Sequence, residues 1–445
     1  MARADARIVE ALRRQARPLT GAAGDHDALL DRIGDARVVL LGEASHGTHE
    51  FYRERARITK RLIAERGFTA VAVEGDWPDA YRVDRFVRGA GDAGAEQALL
   101  GFRRFPTWMW RNADVLDFVG WLRAHNDALA DPARAVGFYG LDLYSLGASM
   151  KAVIAYLDVH DPAAAERARR RYECLQPYGG ESSEYGRAVL LGVSESCRRH
   201  VLEELVALRR HAADYLRRDG VTAEDEYFFA EQNAVLVADA EEYYRTMFGD
   251  AAASWNLRDR HMADTLDHLM AHLDRHDGAG RVVVWEHNSH IGDARATQMA
   301  QRGEYNIGQL MRERHPREVV LVGFTTHSGT VTAASGWGGP AERMRVRPAL
   351  EGSYEALFHE VGLPAFTLCP MQGGAGQALS EPRLERAIGV IYRPQTERQS
   401  HWFAADIANQ FDALIHIDVT RAVEPLERSQ GWELGEPPET YPSAL

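Results

Sequence analysis

Short apolar runs alternate with long amphipathic stretches along this chain, and that alternation limits its fold more than any other sequence feature. The first run, Val38 to Leu41, precedes a helical pattern that begins near Thr48 and would end at Gly67. Further runs follow at 70–73, 135–139, 282–285, 319–324, 366–369, 388–392 and 414–417. Buried strands separated by helices predict an α/β fold with a largely parallel central sheet flanked by helices.

Residues 145–276 lie between the third and fourth predicted strands and contain no strand-like run, but many Ala, Glu and Arg residues. No linker rich in Pro, Gly and Ser bounds this block, so we expect a helical insertion lobe that forms an active-site cleft with the sheet. We predict one domain over residues 1–445, made of N-terminal helices (1–35), an α/β core (36–144 and 277–422), the helical lobe (145–276) and an extended tail (423–445).

The charge of the chain argues against some classes of partner. Lys and Arg together number 52 and Asp and Glu 65, a formal net charge of −13, and the arginines are mixed with acids along the whole length. This pattern predicts no basic surface for nucleic acid. No apolar run approaches the ~20 residues of a membrane-spanning helix, so no membrane partner is predicted either. The expected partner is a small-molecule substrate, and the oligomeric state is left open.

The cysteines and the N-terminus bear on the compartment. Cys174, Cys197 and Cys369 lie far apart and include no Cys-x-x-Cys pair. We therefore expect neither a disulfide nor a zinc framework, and a reducing compartment. The first residues are basic and helical in pattern but lack the apolar core of a signal peptide. These features together predict a cytoplasmic protein.

Acids and histidines recur where the predicted strands end. These residues are Glu43 and His46 after the first strand, Glu74 and Asp76 after the second, Asp142 after the third, Glu286, His287 and His290 after the fourth, and His327 after the fifth. Ligands of open parallel sheets bind at the carboxyl ends of the strands. We therefore predict a site at this edge, where a carboxylate orients an imidazole that takes a proton from water.

Arg55 joins this site through its place on the first long helix. It falls within the apolar stripe that includes Phe51, Tyr52, Ile58 and Leu62. A guanidinium on a buried face needs a carboxylate or a substrate oxygen as its partner. Two roles stay open for Arg55: an ion pair with a strand-end glutamate, or direct contact with the substrate.

Other catalytic motifs are not found in the sequence. Ser45 adjoins His46, but the glycine two positions before the serine of a Gly-x-Ser-x-Gly elbow is missing. We expect Ser45 to stabilise the turn or cap the helix. No Gly-x-Gly-x-x-Gly follows a strand and no Walker A motif occurs, so no nucleotide cofactor is predicted.

Several sequence blocks resemble the erythromycin esterase family. They are GEASHGTHEFYRERA, VEGDWPDAYRVDRFVRG, FRRFPTWMWRN, VGFYGLDLYS, SWNLRDRHM, VVVWEHNSHIGDARA and IGVIYRPQTERQSHWFAADIANQFDALIHID, and the last two are most similar to its broad bacterial, esterase-like branch. The resemblance covers about residues 35 to 425. It implies an α/β core with a helical lobe, a cleft between them, and the ring-opening ester hydrolysis of macrolides by which the named resistance enzymes act.

The resemblance also implies roles for individual residues. Carried over position by position, the family's functional residues fall on Glu43, His46, Glu74, His287, His290 and Arg55. His46, in the Gly-Glu-x-x-His-Gly element, would be the general base for water. Asp142 and the aromatic-rich PTWMWRN segment, with Trp110 and Arg111, would bind the substrate together with Arg55 and His290.

We therefore predict a carboxylic ester hydrolase without a cofactor. His46, oriented by Glu43 or Glu74, would deprotonate water that attacks the carbonyl carbon. The oxyanion would be stabilised, or the leaving alkoxide protonated, by one of the remaining residues, His287, His290 or Arg55.

Two alternatives use the same cleft. Glu43, His46, Glu74 and His287 offer the oxygen and nitrogen ligands of a divalent metal ion that would activate the water. In the second alternative, the chain would be a non-hydrolytic biosynthetic transferase, or a protein that binds a small molecule without changing it.

Overall fold

The structure is a computed structural model that describes residues 3–178, 182–216, 221–371, 376, 379 and 381–434. Its strands are β1 (Arg17–Pro18), β2 (Val38–Leu41), β3 (Ala70–Asp76), β4 (Gly137–Asp142), β5 (Val282–Trp285), β6 (Val319–Ala333), β7 (Glu342–Val346), β8 (Ala365–Leu368), β9 (Arg383–Arg386), β10 (Trp402–Ala405) and β11 (Ala413–Thr420).

The α-helices of the described residues are α1 (Arg3–Gln15), α2 (Asp27–Ile33), α3 (His49–Arg66), α4 (Trp77–Val87), α5 (Ala95–Leu99), α6 (Ala113–Asp127), α7 (Leu146–His160), α8 (Pro162–Tyr172), α9 (Ser182–Leu190), α10 (Arg198–Arg210), α11 (Ala212–Leu216), α12 (Val221–Thr246), α13 (Ala251–Asp277), α14 (Asn288–Ile291), α15 (Ile307–Arg314), α16 (Tyr354–His359), α17 (Glu397–Ser400), α18 (Ile407–Gln410) and α19 (Gln430–Leu434). Short 3₁₀ turns lie at Thr107–Met109, Pro132–Arg134, Glu173–Tyr178, Ala294–Ala296, Ala300–Arg302 and Pro394–Thr396.

Nine of the described strands form one sheet, in the order β1-β8-β11-β6-β2-β5-β3-β4 with β7 paired to β6. The strands from β11 to β4 in this order run parallel. β8, β1 and β7 pair antiparallel with their neighbours, and β9 and β10 form a separate antiparallel pair. The predicted α/β fold with a largely parallel central sheet is confirmed.

Both faces of the sheet are covered by helices. Alternate residues of β2 belong to different apolar clusters, Val38 and Leu40 to one and Val39 and Leu41 to the other, and all four are fully buried. A strand that is buried on both faces needs an apolar residue at every position. This requirement explains the unbroken apolar runs from which the strands were predicted.

The first of these clusters continues from the sheet into the helices between β4 and β5. In the described part of residues 145–276 every regular element is a helix, as predicted. α13 packs against β4, and α12 packs against α4. The helical lobe therefore rests on one end of the sheet and on the helix that follows β3.

The predicted strand at 388–392 is wrong. The residues that pair are 383–386, which form β9, whereas Ile388 and Ile391 make only single bridges to Ser45 and Ala334. The run is apolar because Ile388 and Tyr392 pack in a small cluster beside β6 and β7. Burial in a cluster leaves the same sequence signature as burial in a sheet.

The prediction that no disulfide forms is also wrong. Cys174 and Cys197 form a disulfide with Cα atoms 6.1 Å apart, and Cys369 is free and buried. The two partners are 23 positions apart in sequence, and the helices of the lobe bring them together. The prediction of a reducing compartment rested on unpaired cysteines and loses that basis.

The two ends of the chain add contacts that the sequence did not predict. β1, between the expected N-terminal helices, pairs with β8 and so extends the sheet. In the predicted extended tail, residues 430–434 form a short helix and Leu426 donates a backbone hydrogen bond to Arg111. Residues 435–445 of that tail lie outside the described residues.

None of the described helices combines the length and the apolar character that crossing a membrane requires.

Replacing Asn288 by Ala should lower the free energy of unfolding by about 3 kcal/mol, measured by chemical denaturation. Asn288 is fully buried and bonds both the backbone N–H and the backbone C=O of Phe324 in β6. Loss of the amide leaves two buried backbone groups unsatisfied. In the control Asn256→Ala, a side chain that also bonds two backbone groups is removed, but from a partly exposed position. Equal destabilisation by the two variants would contradict the prediction.

Candidate active site

The turn that follows β2 places Glu43 and His46 at the carboxyl edge of the sheet. Gly42 is required at the start of this turn, because a Cβ atom there would overlap the side-chain oxygen of Asn288. Glu43 is fully buried, and His46 is 6% exposed. The two side chains therefore project from the end of β2 toward the interior rather than into solvent.

The rest of the turn is closed by tight backbone contacts. A Cβ atom on Gly47 would overlap the backbone carbonyl of Thr332 in β6, so only glycine fits there. The Ser45 hydroxyl bonds the Thr48 hydroxyl at the N-cap of α3, and Ser45 is buried. This contact agrees with the expected role of Ser45 in the turn.

Glu43 joins an arginine to the imidazole of His46. Its Oε2 accepts a hydrogen bond of 2.7 Å from Nη2 of Arg55, and its Oε1 lies 2.9 Å from Nδ1 of His46. Arg55 is fully buried and lies over the rings of Tyr52 and Trp285. With Nδ1–H of His46 donating this hydrogen bond to Glu43, Nε2 of His46 is left for a ligand.

A second arginine, Arg258 of α13, bonds polar residues at the ends of other strands. It donates to both oxygens of Asp142 at 2.9 and 2.7 Å and to Oε1 of Glu74 at 2.7 Å. Its Nη1 lies 3.0 Å from Nε2 of His290, whose Nδ1 lies 2.9 Å from Asp259. Both nitrogens of His290 are thus engaged within the protein.

His287 lies beside His46, with ring centroids 4.8 Å apart. Its Nδ1 accepts a hydrogen bond from the backbone N–H of Ser289, and the Ser289 hydroxyl lies 2.8 Å from the same nitrogen. The backbone N–H of His287 donates to Oε2 of Glu74. Because Nδ1 is an acceptor, the neutral ring carries its proton on Nε2, a buried nitrogen that has no side-chain partner among the described residues and has the backbone carbonyl of Ala44 as a nearby acceptor.

The surroundings shift the pKa values of the two adjacent histidines in opposite directions. Burial opposes protonation of His46, but the charges of Glu74 and Glu43 outweigh it and raise the pKa of His46 above its ordinary value. Burial and the charge of His46 lower the pKa of His287 well below its ordinary value. Of the two, His46 is therefore the stronger base, and His287 is neutral.

The pKa values of the carboxyl groups around these histidines are also shifted in opposite directions. Burial opposes ionisation of Glu74, but the nearby histidines and Arg258 outweigh it and lower its pKa. Burial raises the pKa of Asp79 to about 8, with a further contribution from the charge of Asp76. Burial and neighbouring acids raise the pKa of Glu286, whose two oxygens have no hydrogen-bond partner among the described residues. Ionised and neutral carboxyl groups thus lie side by side.

These residues surround a cavity of about 470 Å³ between the sheet edge and the lobe. Polar residues lining it are His46, Glu74, Asp76, Asp79, Arg104, Asp142, Arg258, His287, Ser289, His290, Ser400 and His401. Apolar and aromatic residues lining it include Phe102, Phe105, Met109, Trp110, Tyr144, Trp255, Trp337, Val390 and Ile391. The cavity combines a polar base with an aromatic rim, as small-molecule sites commonly do.

Most of the predicted site residues meet at this cavity. His46, Glu74, His287, His290, Asp142 and Trp110 line it, and Glu43 lies directly behind His46. Trp110 donates its indole N–H to the backbone carbonyl of Glu74, so its polar atom is already used.

Two residues predicted to bind substrate do not line the cavity. Arg55 is enclosed behind Glu43, so of its two open roles the structure supports the ion pair with a strand-end glutamate. Arg111 pairs with Glu427 of the tail. Its sequence segment does reach the cavity, but through the neighbouring residues Trp110 and Met109.

The two carboxylates proposed as metal ligands are already bonded to protein groups. Glu43 uses one oxygen for Arg55 and the other for His46, and Glu74 accepts from Arg258 and from the backbone of His287. Among the described residues, the group of ligand atoms close enough to share one ion is a different one, His327, His359 and Asp418. The donor set at the cavity therefore fits an arginine-neutralised site better than a metal site.

Strand-end reasoning missed the residues that the lobe contributes. Arg258 and Asp259 lie on α13, and Trp255 of the same helix stacks on His290 at a centroid distance of 4.5 Å. Their only sequence signal was the block SWNLRDRHM, in which arginines and acids follow one another. His327, predicted at a strand end, instead lies within β6 and does not line the cavity.

Comparison with known proteins identifies the family of the chain. The sequence model of the family described as Erythromycin esterase matches residues 63–420. Because the match spans most of the chain, the protein belongs to the erythromycin esterase family. Membership of this family supports a hydrolase function.

Two named relatives match about three quarters of this chain. Erythromycin esterase type II of Escherichia coli is 23% identical over 357 residues, which cover 76% of this chain and 82% of that protein. A Bacillus subtilis protein named as hydrolase YbfO is 22% identical over 356 residues, covering 74% of this chain and 73% of that protein.

Solved structures with this fold extend over nearly the whole chain. A Bacillus cereus protein has a TM-score of 0.76 at 21% identity, covering 95% of this chain and 99% of that one. A succinoglycan biosynthesis protein has a TM-score of 0.74 at 22% identity, covering 94% and 98%. A mutant erythromycin esterase, EreC in its open conformation, has a TM-score of 0.66 at 16% identity, covering 90% and 95%. Likeness at these identities shows the fold.

The pKa of His46, followed by NMR titration of its ring, should lie above the ordinary value of about 6.5 and should fall in Glu74→Gln. Removing the Glu74 charge removes an interaction that favours the protonated imidazole. Asp79→Asn serves as the control, because the Asp79 carboxyl lines the same cavity but is neutral until about pH 8. A pKa at or below the ordinary value, or one that Glu74→Gln leaves unchanged, would contradict this electrostatic account.

Proposed function

We propose that this member of the erythromycin esterase family hydrolyses a carboxylic ester or lactone, with His46 as the general base for water. The observation that carries the proposal is the chain of contacts from Arg55 through Glu43 to Nδ1 of His46. It fixes the ring with Nε2 free at the base of the cavity. A fixed imidazole whose basic nitrogen faces the ligand is the arrangement that general-base catalysis needs.

The reaction would proceed in two proton transfers. Nε2 of His46 takes a proton from water as the water oxygen attacks the carbonyl carbon. The imidazolium then gives this proton to the alkoxide as the bond between carbon and the ester oxygen breaks. Glu43 and Glu74, which raise the pKa of His46, stabilise the imidazolium between the two transfers. The products are a carboxylic acid and an alcohol, joined in one molecule when the substrate is a lactone.

The negative charge on the carbonyl oxygen needs a donor during this sequence. Of the three residues suggested by the sequence, His290 has both nitrogens engaged and Arg55 is enclosed behind Glu43. His287 is neutral, and its Nε2–H has no side-chain partner among the described residues, with the backbone carbonyl of Ala44 as a nearby acceptor. We assign His287 as the oxyanion donor. Arg258 adds a fixed positive charge at the same wall of the cavity.

The lining of the cavity suggests the class of substrate. The aromatic rim formed by Phe102, Phe105, Trp110 and Trp337 suits a largely apolar molecule. The carboxyl groups of Asp76 and Asp79 lie in the same cavity and suit hydroxyl or amino substituents. A macrolide, whose lactone ring carries such substituents, combines these properties, and the name of the Escherichia coli relative favours the same class.

Incubation with a panel of macrolides and simple carboxylic esters, followed by mass spectrometry, tests this function. The expected product is the substrate plus one water for a lactone, or an acid and an alcohol for an open ester. His46→Ala should lower kcat by about 10²–10⁴-fold, the usual contribution of a general base. The far-UV circular dichroism spectrum should remain that of the wild type.

The matched control for this experiment is His49→Ala. His49 follows His46 by three positions and also pairs with a carboxylate, Asp114, but does not line the cavity. Its loss should leave turnover within about twofold of the wild type. Full activity in His46→Ala would refute the assignment of the base. Binding of a macrolide without product would favour the binding protein, and transfer of a group to a second substrate would favour the transferase.

Dialysis against a chelator should leave the rate of ester hydrolysis unchanged, since Arg258 and Arg55 already neutralise the carboxylates of the site. Activity is measured before dialysis, after dialysis and after addition of Mg²⁺, Mn²⁺ or Zn²⁺. Loss of activity that one of these ions restores would favour the metal-dependent hydrolase in which Glu43, His46, Glu74 and His287 are ligands.

A further inference from the structure

A second group of histidines lies outside the cavity and has no role in the proposed reaction. His327 in β6, His359 at the end of α16 and Asp418 in β11 bring one ligand atom each to within 4.8 Å of the others. None of the three lines the cavity. We propose that these residues bind a divalent metal ion of the zinc type.

The sheet register explains why two of the ligands meet. β6 and β11 are parallel neighbours in which Thr326 pairs with Ile417 and Ser328 with Val419. His327 and Asp418 therefore occupy adjacent positions, and their side chains leave the sheet on the same face. α16 packs on both strands and brings His359 to that face.

The distances suit an ion that is shared by three ligands. Nδ1 of His359 lies 2.8 Å from Oδ1 of Asp418, and the rings of His327 and His359 are nearly parallel with centroids 3.9 Å apart. Metal bonds of about 2 Å to imidazole and carboxylate place tetrahedral ligand atoms about 3.3 Å apart. Small rotations of the two imidazole side chains close the remaining gap.

A buried nitrogen atom without a partner points to the same place. Nδ1 of His327 is buried and has no hydrogen-bond partner among the described residues. Buried polar atoms are normally satisfied, and an ion bound at Nδ1 would satisfy this one. His416, fully buried behind the group, bonds Thr325 through Nδ1, and its Nε2 lies 3.5 Å from Oδ1 of Asp418. His416 is therefore placed to support the ligating carboxylate.

The chemistry of the ligands selects the class of ion. Two imidazoles and one carboxylate suit zinc and similar first-row ions, whereas Mg²⁺ and Ca²⁺ prefer oxygen ligands throughout. The nearby positive charge, Arg386, donates to the backbone carbonyl of His327. Its guanidinium is paired with Glu397 at 2.9 Å, which offsets its repulsion of a cation. Three protein ligands leave one tetrahedral position for water. Because the ligands come from three elements, the ion would link α16 to β6 and β11.

Equilibrium dialysis of the full chain without an affinity tag, after removal of metals by chelator, tests the site. Zn²⁺ bound per chain is measured by elemental mass spectrometry. We expect one ion in the wild type, and at least a tenfold loss of affinity in His359→Ala and in Asp418→Asn. His359 is half-exposed at a helix end, so its removal should preserve the fold, which circular dichroism checks.

Two control variants separate this site from other histidines. His315 also pairs with an aspartate, Asp267, but lies on another part of the surface, and His315→Ala should keep the bound ion. His46→Ala should keep it too, because His46 belongs to the cavity. Retention of the ion in both His359→Ala and Asp418→Asn, its loss in His46→Ala, or the absence of any bound Zn²⁺ in the wild type would overturn the proposal.

Discussion

The buried ion pair between Arg55 and Glu43 is the interaction on which the rest of the site depends. Both side chains are fully buried, so neither charge has water as an alternative partner. Removing one member of such a pair typically costs about 3–5 kcal/mol, because the other charge is left without a partner. The pair therefore holds Glu43 in one position, and Glu43 in turn fixes the ring of His46. The turn after β2 becomes a rigid support for one imidazole.

A second arginine connects the two halves of the molecule in the same manner. Arg258 comes from the lobe, whereas Glu74 and Asp142 come from the ends of β3 and β4. The lobe thus supplies the positive charge that neutralises carboxylates of the core, and the cavity lies where the two meet. The two arginines have different roles. Arg55 orients the base through Glu43, and Arg258 completes the wall of the cavity that would face the substrate. The site exists only when lobe and core are assembled.

Much of this arrangement could be predicted from the sequence, because the carboxyl ends of parallel strands converge. This convergence predicts that Glu74, Asp142 and His287 lie at one site, and all three line the cavity. Arg258 could not be predicted in this way, because it lies on a helix of the lobe and no periodic pattern in the sequence indicates which strand ends that helix contacts. For the same reason sequence spacing does not predict the Cys174–Cys197 disulfide. The apolar run at 388–392 resembles a strand in sequence, although it packs in a cluster and makes only single bridges. Local patterns identify elements, whereas long-range partners depend on the assembled fold.

The tautomer of His46 tests the central claim most directly. The ¹⁵N chemical shifts of both ring nitrogens, measured in the free protein at a pH above the pKa of His46, report which nitrogen holds the proton. If the contact with Glu43 orients the base, the proton lies on Nδ1, and Nε2 is unprotonated and faces the cavity. A ring protonated on Nε2 would place the basic nitrogen against Glu43 and would contradict the role of His46 as the base that activates water.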